Sequence, residues 1–391
     1  MNGSVLEKQL LVAIDEADEE TVVALLGSLS EPERATLEPA VAARADELHR
    51  LDKELVYDFG PRRDGLRRVR RQLTAAHLAW LGTGAPGSWP PAIDIHDDQD
   101  GWYRRGHLER VFASDAGHRV LTERRPAWLE RLVEEYLDYG NWLWQPAWRL
   151  IVEGFTGRPT DDRWLHGVAR YAGQTVDELA ELVRRDPALI DTDLPALLAR
   201  PGGLGVLVRG EQRTRREADH SLTRHRVWSP LLGGLLPTGD PLRERLISDV
   251  LDAMGGDIGA DAPAYKQFLT ELKPSVAEFA ARRQRLLRLA GHQIPGLAGY
   301  AVQTLLKLDR AGSLDPADVV AHLGPATGAA SAGTARKAVR LIVSALRRDA
   351  TLLRGPPRHW RRRSPTPGPT CSRTRCRGCS RTSPTRRSGR R

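Results

Sequence analysis

Apolar residues fall three and four apart along most of this chain. Residues 6–27, "LEKQLLVAIDEADEETVVALLG", carry two short apolar stripes around an acidic turn, and Gly27 ends the second. "SEPERATLEPAVAARADELHRL" opens with Ser30 as a cap, Pro32 in the first turn and Glu33 at capping-box spacing. Over 61–81, Leu66, Val69, Leu73 and His77 or Trp80 share one face of a helix, opposite a basic face. "RPAWLERLVEEYLDYG" repeats the pattern through Trp128, Leu129, Leu132, Val133, Tyr136 and Leu137. In "NWLWQPAWRLIVEG", Pro146 is placed to kink a helix or to start one. Thr175 and Glu178 form a second capping box, and Asp186-Pro187 opens the next segment with proline at the first helical position.

From residue 240 the pattern is regular. Asp240 caps a helix led by Pro241, with Leu242, Leu246, Val250 and Met254 in line. "KPSVAEFAARRQRLLRLAG" predicts one helix capped by Ser275 and Glu278. Leu297, Ala301, Leu305 and Leu308 mark the next. Asp315 caps another before Pro316, and "TARKAVRLIVSALRRD" presents Val339, Ile342, Val343 and Leu346. Two stretches interrupt the series. Residues 82–101, "GTGAPGSWPPAIDIHDDQDG", read as a loop or joint, and 201–226 as a short helix and a mobile loop. No set of alternating strands appears, so the fold class is all-α, with about 15–19 helices. Helices of roughly 10–17 residues alternate with loops of roughly 3–6, and one such hairpin cannot bury its apolar face alone. The expected architecture is an α-solenoid of stacked helical hairpins, HEAT/armadillo-like, repeating about every 40 residues. Its segments are an N-terminal helical part (1–81), a Trp-rich helical part (102–200), C-terminal HEAT-like repeats (227–353) and an Arg/Pro/Cys tail (354–391).

Charge changes the picture only when it is divided. The 391 residues carry a formal +9, but the stretch from Gly355 onward holds 12 arginines and no acid. Residues 1–354 are left at −3, so a long-range cationic field from the body is not supported. All three cysteines, Cys371, Cys376 and Cys379, lie in the tail. Residues 1–354 therefore contain no thiolate nucleophile, disulfide or Cys-ligated metal. The tail reads as a disordered basic arm, as a zinc knuckle, or as an out-of-frame translation of arginine-rich DNA. The knuckle is the weakest reading, because its one close pair, Cys376 and Cys379, is joined only by Cys371 and the distant His359. The abrupt loss of helical pattern and of acids, inside what should be a further repeat, favours the shifted frame. No membrane span and no cleavable leader are apparent, so a cytoplasmic protein without membrane association is expected.

Motifs for chemistry are sparse. "GTGAPGSWP" and "PGGLG" have the glycines of a phosphate loop without its lysine, and no H-E-x-x-H or G-x-S-x-G occurs. His96 sits among Asp94, Asp97, Asp98 and Asp100 without a calcium-loop frame, which reads as a solvated acidic loop. No catalytic residue, cofactor or metal is assigned. Tryptophan is the one enrichment, with Trp128, Trp142, Trp144, Trp148 and Trp164 close in sequence. Such a cluster packs a core or, beside arginines, stacks on bases. The candidate surface is Trp142, Trp144, Arg149, Asp161, Asp162, Arg163 and His166. The leading expectation is a non-catalytic protein–protein interaction scaffold with a protein partner. One alternative is nucleic-acid binding or repair through residues 124–164, which the body charge does not support. Another is a hydrolase on a helical-repeat frame.

Several phrases carry a resemblance. "RERLISDVLDAMGGD", "YKQFLTELKPSVAEFAARRQRLLRLAGHQIPGLAGYAVQTLLKLDRAGSLDP" and "ARKAVRLIVSAL" resemble a family of helical-repeat proteins common in actinobacteria. The motifs fall at Leu272–Glu278, Arg283–Leu289 and Pro295–Leu308, and the resemblance spans roughly 5–350, weakly before 120. It implies a HEAT-like helical fold and assigns neither an activity nor a catalytic residue.

Overall fold

The computed structural model describes residues 3–57, 63–84, 110–138, 144–216 and 222–353. The tail with its cysteines, most of the 82–101 joint including His96, and Trp142 lie outside the described residues. Within them are nineteen α-helices and one two-stranded sheet. No described helix is long and apolar enough to cross a membrane.

The first four helices are α1 (Gly3–Glu16), α2 (Glu19–Gly27), α3 (Glu31–Tyr57) and α4 (Arg63–Thr83). They pack on one another, and α5 (Asp115–Arg124) joins them against α2 and α4. Two buried arginines hold this bundle by taking up helix-end carbonyls. Arg34 donates to the carbonyls of Leu26 and Gly82, each at 2.6 Å, and of Leu29 at 3.2 Å. Arg124 donates to the carbonyls of Leu81 and Gly84 and pairs with Glu31 at 2.8 Å. His77 lies on the buried face of α4, its Nε2 3.0 Å from Nε2 of His49 on α3.

The middle of the chain runs through α6 (Leu129–Asp138), α7 (Trp144–Val152), α8 (Asp162–Tyr171) and α9 (Val176–Arg185). A π-helical turn (Leu189–Asp193) follows, then α10 (Leu194–Ala199) and α11 (Gly203–Gly210). Pro146 stands in the first turn of α7, where its missing N–H has no helical acceptor to lose. The short helix expected in 201–226 is α11, and the mobile loop expected there is instead an antiparallel hairpin, β1 (Gln212–Arg216) and β2 (Leu222–Arg226). Its buried side chains, Arg213 and Arg226, are arginines rather than aliphatics, so the hydrophobic pattern conceals it. Arg213 donates to the carbonyl of Gly173 at 3.0 Å, and Arg226 binds the buried Glu211, whose other oxygen accepts the Ser229 N–H at 2.8 Å. Burial holds the Arg213 guanidinium down to about 10.

The last third contains α12 (Trp228–Leu235), α13 (Pro241–Met254), α14 (Ala262–Leu272), α15 (Val276–Ala281) and α16 (Arg283–Ala290). It ends with α17 (Pro295–Arg310), α18 (Pro316–His322) and α19 (Ala332–Arg348). The single helix expected over 275–290 is broken at Arg282, which has φ −115° and ψ 19°. Its guanidinium turns inward to the carbonyls of Glu278 and Glu244 and to Ser248 Oγ. Helices α13, α16 and α18 pack in succession, as do α14, α17 and α19, and each member of one row packs on its partner in the other. The second row continues upstream through α11 to α8. One hydrophobic cluster extends from Leu6 to Ala345.

The caps at Asp240, Ser275 and Asp315 form where the sequence places them, and Ser275 with Glu278 closes a full capping box. Asp315 accepts the Ala317 N–H at 2.9 Å at the head of the short helix α18. Asp315→Ala is expected to destabilise that helix by about 1 kcal/mol. Faster amide exchange confined to the neighbourhood of α18 checks it.

Candidate interaction surface

Three tryptophans of the 124–164 region turn inward, and Trp128 is partly buried. Trp144, Trp148 and Trp164 are all 4% exposed or less. The Trp144 ring stacks on Trp164 with centroids 5.3 Å apart and on Trp148 at 6.4 Å. This places α7 against α8, and Gly167 allows the approach. A Cβ on Gly167 would lie 2.3 Å from Trp144 Cδ1. Gly167→Ala is therefore expected to cost about 1–3 kcal/mol through overpacking, read as a lower denaturant midpoint. With Trp144 enclosed, no face of its ring is open to a base, and the expectation that it forms part of a surface is corrected.

Around the rings lies a charged network that the sequence reading did not identify. Trp148 Nε1 donates to Asp186 at 3.0 Å. Arg158 binds both Asp186 and, at 2.8 Å, Asp193, and its guanidinium carbon lies 5.6 Å from the Trp164 ring centre. Arg185 covers Trp148 at 5.0 Å. Burial pushes the Asp193 carboxyl up, against the pull of Arg158. Asp186 is thus an acceptor for two neighbouring elements as well as the residue after α9. Its position before Pro187 was the only sequence signal, and it pointed to a helix boundary.

The other candidate residues are distributed over separate pairs. Arg149 binds Asp115 at 2.6 Å and Glu153 at 3.2 Å, and Glu153 binds His118 at 2.6 Å. Asp161 caps α8 by accepting the Trp164 N–H at 2.9 Å, and it pairs with Arg163 at 2.7 Å. Burial would raise the Asp161 carboxyl, but these donors outweigh it and hold it below its ordinary value. That makes it an ionised cap, not a proton donor. Asp162 reaches Arg200 at 3.3 Å, and His166 is half-buried one turn along α8. The paired carboxylates do not face each other across a pocket, which a hydrolytic acid–base pair requires. Among the described residues no group of three or more His, Cys, Asp or Glu side chains converges as a metal site would require.

A concave feature lies elsewhere, at the start of α11. A cleft of about 430 Å³ is lined by Arg200, Gly203, Gly205, Arg209, Asp252 and Tyr265, among others. Gly203 is required by the backbone, because a Cβ there would meet the Leu197 carbonyl oxygen at 1.8 Å. The cations and acids at its rim are held by neighbours, Arg209 by Asp261 at 2.9 Å and Asp252 by Arg285 at 2.6 Å. Burial raises the Tyr265 phenol. The rim therefore presents mixed, fixed charge. "PGGLG" fails as a phosphate loop for want of lysine, and its Gly203 serves the packing of α10 against α11.

No family model, curated protein or solved structure matches the chain.

Proposed function

We propose that this chain is an α-solenoid of stacked, HEAT-like hairpins serving as a non-catalytic scaffold for a protein partner. The observation that carries the reading is a recurring step, mostly 33–39 residues, in the side-chain bonds between neighbouring elements. His118–Glu153, Arg158–Asp193, Arg243–Glu278, Arg283–Asp318 and Asp309–Ser344 each span 35 residues. A stack of like units produces such a step, because each residue meets its counterpart one repeat later. The step is somewhat shorter than the spacing of about 40 expected from the helix pattern. The resemblance of residues 272–308 to actinobacterial helical-repeat proteins agrees with it. Successive rows of helices offer long faces that suit an extended partner.

Two measurements test this. A chain ending at Gly312 is expected to keep its upstream helicity and cooperative unfolding, because each repeat leans chiefly on its neighbours. Collapse of the whole chain would remove the solenoid. Cross-linking in native cells, from positions on α13 and α16, is expected to capture a partner of reproducible mass. Recovery of the chain only as free protein or its own oligomers would remove the scaffold reading. Affinity of residues 1–354 for single-stranded nucleic acid, falling steeply with salt, would favour the nucleic-acid reading instead.

A further inference from the structure

The cleft at the head of α11 holds hydrogen-bonding groups that the fold leaves unused. The helix starts after Gly202, which has φ 75° and no side chain to cap the first turn. The Gly203 N–H reaches the Arg200 carbonyl at 3.0 Å, whereas those of Leu204 and Gly205 meet no acceptor among the described residues. Tyr265 on α14 lines the same cleft and is only 6% exposed. Its hydroxyl makes no hydrogen bond among the described residues. A polar group so deeply buried ordinarily has a partner, and its raised phenol stays protonated, and so able to donate, across the neutral range.

Gly205 is the point where these groups meet. A Cβ there would lie 3.2 Å from the Tyr265 hydroxyl and 3.2 Å from both terminal nitrogens of Arg209. The missing side chain thus leaves a space beside the first turn of α11 with a hydroxyl and a guanidinium around it. Arg209 donates to Asp261 through Nη1, at 2.9 Å, and its other nitrogens keep their donors. Asp249 and Asp252 of α13 line the cleft as well. Each engages an arginine through one oxygen, Arg245 at 3.3 Å and Arg285 at 2.6 Å, and keeps the other as an acceptor. The charges are therefore balanced within the protein, with spare donors on α11 and α14 and spare acceptors on α13.

We propose that this cleft binds a small zwitterion of the amino-acid class. Its carboxylate occupies the space at Gly205, accepting from the Tyr265 hydroxyl, the Arg209 guanidinium and the free N–H groups of α11. Its ammonium group donates to Asp249 and Asp252. A neutral, dipolar ligand matches a neutral, dipolar site, whereas phosphate would bring up to two negative charges to a place with no unpaired cation. The cleft's volume of about 430 Å³ is that of a small-molecule site. The inference goes beyond the scaffold reading and does not depend on it, since neither a repeat nor a partner protein enters the argument.

Thermal-shift and calorimetric titrations of the full chain with each of the common protein amino acids test it. Acetate, methylammonium and inorganic phosphate serve as comparison probes. At least one amino acid is expected to bind at one site per chain, about tenfold or more tighter than any of the three. Tyr265→Phe removes an oxygen that no protein group uses, so the fold is expected to be unaffected while affinity falls about tenfold. Gly205→Ala places a methyl group where the carboxylate sits and meets only the movable ends of side chains. It is expected to abolish binding with helicity retained, because alanine is the better helix former. Asp249→Asn with Asp252→Asn is expected to remove the preference for amino acids over acetate. The proposal is overturned if no amino acid binds or if phosphate binds more tightly than all of them. Unchanged amino-acid affinity in Tyr265→Phe overturns it equally, and that variant decides alone should Gly205→Ala lose helicity.

Discussion

Glu278→Ala is expected to destabilise the C-terminal hairpins by about 3–5 kcal/mol, because it leaves a buried guanidinium without its anion. Arg243 and Glu278 are both buried, and they meet through two bonds, at 2.5 Å and 3.2 Å. The remaining guanidinium donors face the carbonyls of Lys273, Gly233 and Leu236. Glu278 also accepts the Ser275 N–H at 2.7 Å, so the substitution removes a helix cap together with an ion pair. Replacing both partners, as Arg243→Met with Glu278→Leu, is expected to recover much of the loss, since no buried charge then stands alone. Urea unfolding monitored by circular dichroism distinguishes the two variants.

The same residue sets a pH dependence. Burial alone would raise the Glu278 carboxyl, but hydrogen bonds from Arg243 and Ser275 outweigh it and hold the group below its ordinary value of 4.5. The unfolded chain then takes up the proton at higher pH than the folded one. The stability that the pair contributes is complete above the ordinary carboxylate range and is lost as pH falls through the lowered folded value. The difference in stability between wild type and Glu278→Ala is therefore expected to shrink on acidification below about pH 4.5. A difference that grows in acid would refute the assignment.

Arg243 and Glu278 also mark where the sequence can and cannot be read. Helices whose inner faces are aliphatic were legible at once. Leu246 and Val250 place α13, Leu297, Ala301 and Leu305 place α17, and Asp240, Ser275 and Asp315 mark starts that the structure has. What was not legible depends on arginines that point inward. Arg213 and Arg226 are buried from opposite faces of the β-hairpin, and a scale that counts arginine as surface reads that segment as loop. Arg282 breaks a helix that the apolar spacing alone continues. Nothing in composition separates these from exposed arginines such as Arg288, because the difference lies in the carbonyls and carboxylates that the fold brings to them. The tryptophans present the same ambiguity. Large rings at helical spacing beside arginines read first as a packed core, with a stacking surface as the alternative. The small residue that decides between them, Gly167, is silent until α7 and α8 are placed together.

Trp164→Ala is expected to cost about 3–5 kcal/mol, the range for removing a buried aromatic side chain. The ring is wholly enclosed. Its loss would strip Trp144 of its stacking partner and leave Arg158 without the face it covers, although Arg158 would keep Asp186 and Asp193. Trp164→Phe preserves a ring in the same place and is expected to lose roughly a third as much, as a change of shape without a full cavity. The location of the damage matters as much as its size. Helix α8 packs on α7, on the π-helical turn, and on α10 and α11, whereas α17 and α19 are not among the helices it packs closely against. In an array coupled through nearest neighbours, a defect opens its own unit and the adjoining ones before distant units respond. Hydrogen exchange in Trp164→Ala is therefore expected to accelerate over 144–216 while α17 and α19 keep wild-type protection. Equal acceleration in α17 and α19 would mean that the helices unfold as one cooperative body, and the recurring 35-residue step would then describe its geometry without describing its energetics.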